Sequence, residues 1–173
     1  MKYRHDKNKW FPNENPSLFE RILCKIFRVR IIPTAEGNIY LRRIYLTPRW
    51  KWLPFKIFLH HFFSSDIDRS LHDHPWVFRT FILNNGYEEI IQEHEYPDAV
   101  FRNRILTAGD TVRNEAEHTH RVIVPKPLWT LMIVHKAKRA WGFHDKDLGW
   151  VHWRKYLNME DEIKFPDYPE DII

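Results

Sequence analysis

Residues 71–75 read Leu-His-Asp-His-Pro, and a second histidine pair, His118 and His120, follows after a longer stretch of chain. In a β-strand alternate side chains point to the same face, so His72 and His74 can approach a single ion from one segment. A metal site with open positions needs three protein ligands, and borderline divalent cations accept neutral imidazole readily. The pattern therefore predicts a metal site formed by His72, His74 and His120, with His118 as a competitor on the same face.

The composition is that of a folded domain. The chain has 173 residues, of which 43% are hydrophobic and 16% aromatic, with 5 glycines, so it fits neither a disordered nor a low-complexity class. The 27 basic and 23 acidic residues are interleaved, which disfavours a nucleic-acid partner. Cys24 is the single cysteine, and no apolar run has the length of a membrane span. We expect a cytoplasmic protein without membrane association.

The secondary-structure pattern begins with a helix and continues with strands. Residues 17–28 predict an amphipathic helix, because Ser17 and Glu20 have capping-box spacing. Its predicted apolar stripe contains Leu18, Ile22, Leu23, Ile26 and Phe27, and Cys24 is expected to be a buried filler. Eight β-branched and aromatic runs follow, separated by turn residues: RVRIIPT, NIYLRRIYLTP, FKIFLHHFF, WVFRTFILNNG, YEEIIQEHE, AVFRNRILTAGD, THRVIVP and LWTLMIVHKAKRAWGF.

This succession predicts a mainly β fold, an antiparallel barrel or jelly roll. We expect a single domain over residues 1–173. In this division residues 1–37 hold the helix and the first strand, residues 38–145 form the barrel, and residues 146–173 form a C-terminal extension. The aromatic first part of the extension is expected to dock on the barrel, and the last dozen residues are expected to be loose.

The histidine frame resembles that of cupins, a jelly-roll superfamily. Cupins carry a first motif with HxH followed by a glutamate and a glycine, and a second motif with a glycine eleven residues before a histidine. In this chain Gly86 follows the HDH at 72–74, and Gly109 precedes His120 by that interval. The sequence departs from the family where the motif glutamate is expected, since Phe78 and Arg79 stand there.

A three-histidine site without the carboxylate resembles that of cysteine dioxygenase and related thiol dioxygenases, which bind ferrous iron. The resemblance implies Fe(II) as the first candidate ion, with Mn, Ni and Zn as alternatives. The chain also resembles cupin-like proteins of phages and bacteria that share the strings LHDHPW, HRV, WTL and WGF. That resemblance implies a fold and a site and leaves the reaction open.

Several other polar residues lie near the predicted site in the sequence. Arg79 takes the place of the cupin glutamate and is predicted to be catalytic, as a bidentate clamp for a substrate carboxylate or phosphate, with a surface ion pair as the alternative. Asp73 is expected to face away from the metal and to form a salt bridge or turn, and His60 to be a buried histidine or a partner of a ligand. Glu88 and Glu89 are open candidates for a base. An aromatic wall is predicted from Trp129, Arg139, Trp141, Phe143 and His144.

These observations favour a metal-binding cupin, an Fe(II)-type three-histidine oxidoreductase or dioxygenase acting on a small polar or anionic molecule. The alternative is a non-catalytic cupin that binds a sugar or nucleotide sugar without a redox metal. A weaker alternative is a phage-related module that binds nucleic acid through its basic first half. Resemblance to cupins also implies a homodimer as a partner state.

Overall fold

The computed structural model describes residues 15–33, 38–48, 50, 52–66 and 70–156. These residues contain two helices, α1 (Leu18–Ile26) and α2 (Trp153–Tyr156). They also contain twelve strands: β1 (Arg28–Pro33), β2 (Ile39–Tyr45), β3 (Phe55–Phe62), β4 (Leu71–His72), β5 (Phe78–Ile82), β6 (Gly86–Glu93), β7 (Val100–Thr107), β8 (Thr111–Asn114), β9 (Thr119–Ile123), β10 (Leu128–His135), β11 (Gly142–Asp145) and β12 (Gly149–His152).

In this described part of the chain the strands form two six-stranded antiparallel sheets. The first sheet has the order β1-β2-β3-β10-β5-β8, and the second has the order β12-β11-β4-β9-β6-β7. Most neighbours within each sheet are far apart along the chain, as in a jelly roll, whose strands cross repeatedly between two sheets. The predicted mainly β fold with an N-terminal helix and a C-terminal extension is confirmed.

The eight predicted runs contain β1, β2, β3, β5, β6, β7, β9 and β10. The last run divides into β10 and β11, and the short strands β4, β8 and β12 were not predicted. The turn predicted around Asn85 is present, with Asn85 at φ 49. The next residue must be a glycine, Gly86, because a Cβ atom at that position would lie only 2.3 Å from the carbonyl oxygen of Leu106. The turn at residues 35–37 and the last dozen residues lie outside the described residues.

The interior between the sheets has two apolar levels. One contains Ile82, Tyr87, Leu106, Val112, Val122, Val124 and Leu128. The other contains Tyr45, Phe58, Trp76, Phe78 and Val134. Inward-facing side chains alternate along each strand, so β3 places His60 between Phe58 of one level and Phe62 of the other. Polar residues therefore occupy the middle of the barrel.

Helix α1 packs on the outer face of the first sheet. Ser17 and Glu20 form the predicted capping box, and Cys24 is buried against Ile44 and Leu59. The apolar stripe was predicted wrongly in part, since Leu18, Ile22 and Ile26 are exposed while Glu20 and Cys24 are the buried residues of the helix. Glu20 can be buried because its carboxylate accepts a hydrogen bond from Arg42 on β2. Among the described residues, neither helix has the length and apolar character needed to cross a bilayer.

Candidate metal centre

Three histidine side chains converge on the inner face of the second sheet. One ring nitrogen of each of His72, His74 and His120 lies within 4.8 Å of the others. The Nε2 atoms of His74 and His120 are 2.8 Å apart, and the ring centroids of His72 and His120 are 5.0 Å apart. Imidazole nitrogens bound to a divalent ion at about 2.0–2.1 Å lie roughly 3–4 Å apart. The donor set therefore fits a borderline divalent cation.

Short backbone pairings bring these residues together. Strand β4 is only two residues long and lies between β9 and β11, where His72 is the register partner of His120. His74 lies beyond the end of β4, and its backbone N–H donates to the carbonyl oxygen of Ala116 at 3.0 Å. That hydrogen bond ties the loop after β4 to the chain that enters β9. The predicted convergence of two distant segments is therefore present in the fold.

A buried carboxylate supports His120 from behind. Oε1 of Glu89 lies 2.6 Å from Nδ1 of His120, and Glu89 is fully buried. Because a carboxylate only accepts hydrogen bonds, Nδ1 must carry the proton, and Nε2 of His120 then presents its lone pair to the cluster. Such a partner fixes the tautomer and ring orientation of a metal-binding histidine.

Glu89 is held in its charged form by its other neighbours. Burial raises the pKa of its carboxyl, but hydrogen bonds from His118 and His120 and the charge of Arg104 outweigh burial and lower that pKa well below its usual value. Nε of Arg104 donates to Oε2 of Glu89 at 2.6 Å. The sequence alone does not distinguish Glu89 from Glu88 as a candidate base. The signal that could have done so is its alternation with the apolar residues Tyr87 and Ile91, which places Glu89 on the inner face.

His72 has a more distant acidic neighbour. Its Nδ1 lies 3.8 Å from Oδ2 of Asp66, beyond ordinary hydrogen-bond distance. Asp66 is itself held in place, since Oδ2 accepts the backbone N–H of Val122 at 2.7 Å and Oδ1 accepts from the hydroxyl of Tyr40. The charge of Asp66 therefore acts on His72 through space and lies at a fixed position.

Burial keeps two of the three imidazoles neutral. It lowers the pKa of His72 to about 4, and the charge of Asp66 only partly offsets this effect. Burial also lowers the pKa of His74 well below its usual value. Neutral imidazole is the form that binds metal ions, so both ligands are ready for a cation at neutral pH.

Asp73, between the two histidines of the motif, faces away from them as predicted. Its Oδ2 accepts hydrogen bonds from Nη1 of Arg139 at 2.7 Å and from Nε1 of Trp150 at 3.0 Å, while Oδ1 accepts the N–H of Gly142 at 2.7 Å. Burial raises the pKa of the Asp73 carboxyl, but hydrogen bonds from His144 and Gly142 and the charge of Arg139 outweigh it and lower the pKa. The carboxylate thus anchors the histidine loop to β11 and β12.

Arg79 does not reach the cluster. On β5 the side chain of Phe78 is buried and lies 4.5 Å from the ring of His74, whereas the next side chain, Arg79, is exposed on the opposite face. The alternation of side chains along a strand is the physical reason. The clamp role predicted for Arg79 is not supported by this position, and Phe78 occupies the inward place of the cupin glutamate.

The predicted aromatic wall is partly present. The rings of Trp141 and Phe143 lie 6.4 and 6.0 Å from the ring of His72. Trp129 lies elsewhere, because it stacks on His61 at 4.1 Å and belongs to the cluster beneath α1. His144 instead contacts Asp73, whose side chain faces away from the histidine cluster.

The remaining histidine candidates have other partners. His60 is buried, as expected, and its Nε2 accepts a hydrogen bond from Nε of Arg43 at 2.9 Å. His118 forms an alternative ligand group with Glu89 and His120. In that group Glu89 is already paired with Arg104, whose Nη2 also lies 3.4 Å from Nε2 of His118, so a cation there would meet a fixed positive charge. The three-histidine set is the better cation site.

No protein-family model and no curated protein sequence matches the chain. Solved structures match it in fold. A cupin-2 domain from Rhodospirillum rubrum aligns with a TM-score of 0.55 at 11% identity, over 87% of this chain and 89% of that chain. A cupin 2 conserved barrel domain protein from Rhodopseudomonas palustris aligns with a TM-score of 0.50 at 17% identity, over 69% of this chain and 79% of that chain. The protein therefore has the cupin fold.

Matches to larger enzymes cover only part of those enzymes. Oxalate decarboxylase from Lactobacillus farciminis aligns with a TM-score of 0.52 at 12% identity, over 79% of this chain and 37% of that chain. Hydroxypropylphosphonic acid epoxidase from S. wedmorenis aligns with a TM-score of 0.46 at 11% identity, over 62% of this chain and 55% of that chain. The chain thus spans little more than half the length of the epoxidase, and the similarity to oxalate decarboxylase concerns the fold alone.

Proposed function

We propose that the protein is a metal-dependent cupin oxidoreductase in which His72, His74 and His120 hold a divalent cation, with Fe(II) as the first candidate. The observation that carries this proposal is the convergence of three imidazoles, one of them oriented by the buried carboxylate of Glu89. Three imidazole nitrogen donors without a thiolate suit Fe(II), Mn(II), Ni(II) and Zn(II). Bound Fe(II) supplies a Lewis acid and a redox partner for oxidation of a substrate by O₂.

The surrounding residues support binding and exclusion of water. Glu89 holds the proton of His120 at Nδ1 and so leaves Nε2 as a donor. Phe78 covers the cluster beside His74, and Trp141 and Phe143 lie beside His72. These rings reduce access of water to the reacting molecule and offer flat apolar surface to it. His72 and His74 keep partial solvent exposure, which gives a small molecule an approach to the ligands.

Elemental analysis of the protein purified without an affinity tag tests this proposal. We expect near-stoichiometric iron or another divalent metal, which is lost in His72→Ala and His120→Ala. His135→Ala is the matched control, because His135 is exposed on β10 and should leave the metal content unchanged. Oxygen consumption by the iron-loaded protein with candidate substrates then tests the reaction class. A native protein free of metal that binds sugars or nucleotide sugars would instead support the alternative cupin function.

A further inference from the structure

Arg43 is a partly buried cation on the inner face of the first sheet. It follows Arg42 on β2, and the two side chains point to opposite faces of the sheet. Arg42 pairs with Glu20 on the outer face, whereas Arg43 is the register partner of His60 on the inner face. Within the described residues, no carboxylate lies at salt-bridge distance from Arg43, and its contacts are His60 and the ring of Phe58 at 5.0 Å. Arg43 is only partly exposed, and a cation that loses part of its hydration without a nearby anion is destabilised, so an anionic partner is expected.

The contact with His60 points the guanidinium group into the interior. Nε of Arg43 donates to Nε2 of His60, so that edge of the guanidinium is occupied and the two Nη groups stay available. Burial and the charge of Arg43 lower the pKa of His60 well below its usual value, which keeps the ring neutral and able to accept this hydrogen bond. Two parallel Nη–H donors match the two oxygens of a carboxylate.

Two further donors in the same part of the barrel lack acceptors. Thr130 is the register partner of His60 on β10, and it is 1% exposed. Its Oγ1 and the Nε1 of Trp76 are buried without a hydrogen-bond partner among the described residues. A buried donor without an acceptor is destabilising, so a ligand that supplies one would be bound more tightly. Arg43, His60 and Thr130 thus form a polar row across β2, β3 and β10, which offers donors and no acid.

One apolar cluster connects the polar row to the candidate metal centre. Phe58 beside Arg43 and Phe78 beside His74 belong to one apolar cluster, which joins the two places. Arg43 keeps partial solvent exposure, as His72 and His74 do. A small molecule could therefore contact both the polar row and the histidines.

We propose that the polar row is the substrate-anion subsite and that the substrate is a small carboxylic acid. Its carboxylate would be bound by the two Nη groups of Arg43, and its apolar part would lie against Phe58 and Phe78. A carboxylate is favoured over phosphate because a single guanidinium charge balances one negative charge. His60 is a positioning residue that orients Arg43. The reaction at the other end of the substrate rests on the proposed function. Binding of the anion itself does not require the metal.

Calorimetric titration of the purified protein with acetate and benzoate tests the subsite, with ethanol and benzyl alcohol as neutral counterparts and inorganic phosphate as the competing anion. We expect carboxylate binding that the alcohols do not reproduce and that phosphate matches poorly. Arg43→Gln should weaken carboxylate binding at least about tenfold, and Arg43→Lys, which keeps the charge and loses the fork, should weaken it less. Arg113→Gln is the matched control, because Arg113 is an exposed arginine on β8, at the opposite edge of the same sheet, and it pairs with Glu115.

The outcomes separate this proposal from the metal proposal. Each variant is also titrated with Zn(II), so retained metal binding shows that it is folded. Carboxylate binding that persists in His120→Ala without metal would support the subsite even if the metal proposal failed. Unchanged carboxylate affinity in Arg43→Gln, in a variant that still binds Zn(II), would overturn the subsite and leave the metal centre standing. A crystal structure of the wild-type protein with benzoate gives a test without any variant, since a carboxylate bound away from Arg43 would refute the assignment.

Discussion

The two sheets present opposite kinds of polar groups to the barrel interior. The second sheet carries His72 and His120, with the carboxylates of Asp66 and Glu89 beside or behind them. The first sheet carries Arg43, whose described partners are a neutral imidazole and a phenyl ring. One wall is therefore arranged to attract a cation and the other to attract an anion. A bound molecule with an anionic end can therefore be aligned between the two walls.

The largest expected effect is on the cation-binding wall. His120→Ala removes one of the three proposed ligands and one of the hydrogen-bond donors to the buried carboxylate of Glu89. Affinity for Zn(II) or Fe(II), measured by competition with a chromogenic chelator, should fall by more than about 100-fold. Carboxylate binding by the opposite wall should persist. Equal loss of both activities would contradict the division into two walls.

A smaller effect is expected when the support of the ligand is weakened. Glu89→Gln keeps the size of the side chain but removes the charge that holds the proton of His120 and pairs with Arg104. Metal affinity should fall by about 10–100-fold, and the free energy of unfolding should fall by about 1–3 kcal/mol because the partly exposed Arg104 loses its charged partner.

The matched control for this substitution is Glu88→Gln. Glu88 is the preceding residue on β6, and its side chain hydrogen-bonds Asn103 on the outward face. Chelator competition and urea unfolding should give values close to wild type for Glu88→Gln. A comparable loss of metal affinity in both variants would show that the effect comes from general charge and not from the contact with His120.

The anion-binding wall should show its own pH dependence. The pKa of His60 is lowered in the folded protein, so folding keeps this ring neutral. A group whose folded-state pKa is depressed contributes its full stability above its unfolded pKa, about 6.5, and loses that contribution as the pH falls below it. His60→Phe should therefore remove up to about 1.4 kcal/mol per pH unit from the acid-side slope of the unfolding free energy. Urea unfolding of both proteins between pH 7.5 and 5.0 measures this slope, and identical slopes would show that His60 does not titrate in this way.

The smallest effect is expected at Arg79, the residue for which the sequence predicted the clamp role. Its side chain is exposed on the outer face of the first sheet. Arg79→Gln should change the free energy of unfolding by no more than about 0.5 kcal/mol and should leave acetate, benzoate and Zn(II) binding unchanged. If Arg79→Gln lost carboxylate affinity while Arg43→Gln kept it, the substrate anion would be bound by Arg79 and not by Arg43.

The sequence was informative where a pattern is local. Capping-box spacing predicted the start of α1, and alternating apolar runs predicted most of the long strands. Strand β4 was missed because it has two residues and owes its extended form to β9 and β11, which lie far along the chain. Strand β12 was missed because it has only four residues. The exposed face of α1 was also missed, since burial of Glu20 depends on Arg42, which lies on another element.

The candidate site divides in the same way. The interval between His72 and His74 predicted that both side chains approach one ion, and the need for a third ligand pointed to His120, in agreement with the resemblance to cupins. The sequence could not tell which of the two adjacent arginines on β2 faces the interior, because that depends on where α1 and its Glu20 dock. For the same reason the sequence did not show that Arg79 lies on the exposed face of β5. Neighbouring positions on a strand differ in environment because the rest of the fold differs on each face.

The carboxylate of Asp73 has a consequence for how the protein can evolve. It ties the histidine loop to Arg139 and Trp150, which are 66 and 77 residues further along the chain. A replacement at any of these three positions would change which residues are favoured at the other two. Related sequences should therefore change at these positions together, while flanking surface positions vary independently. Grafting the HDH segment alone onto another barrel would transfer the ligands without the brace that sets their spacing.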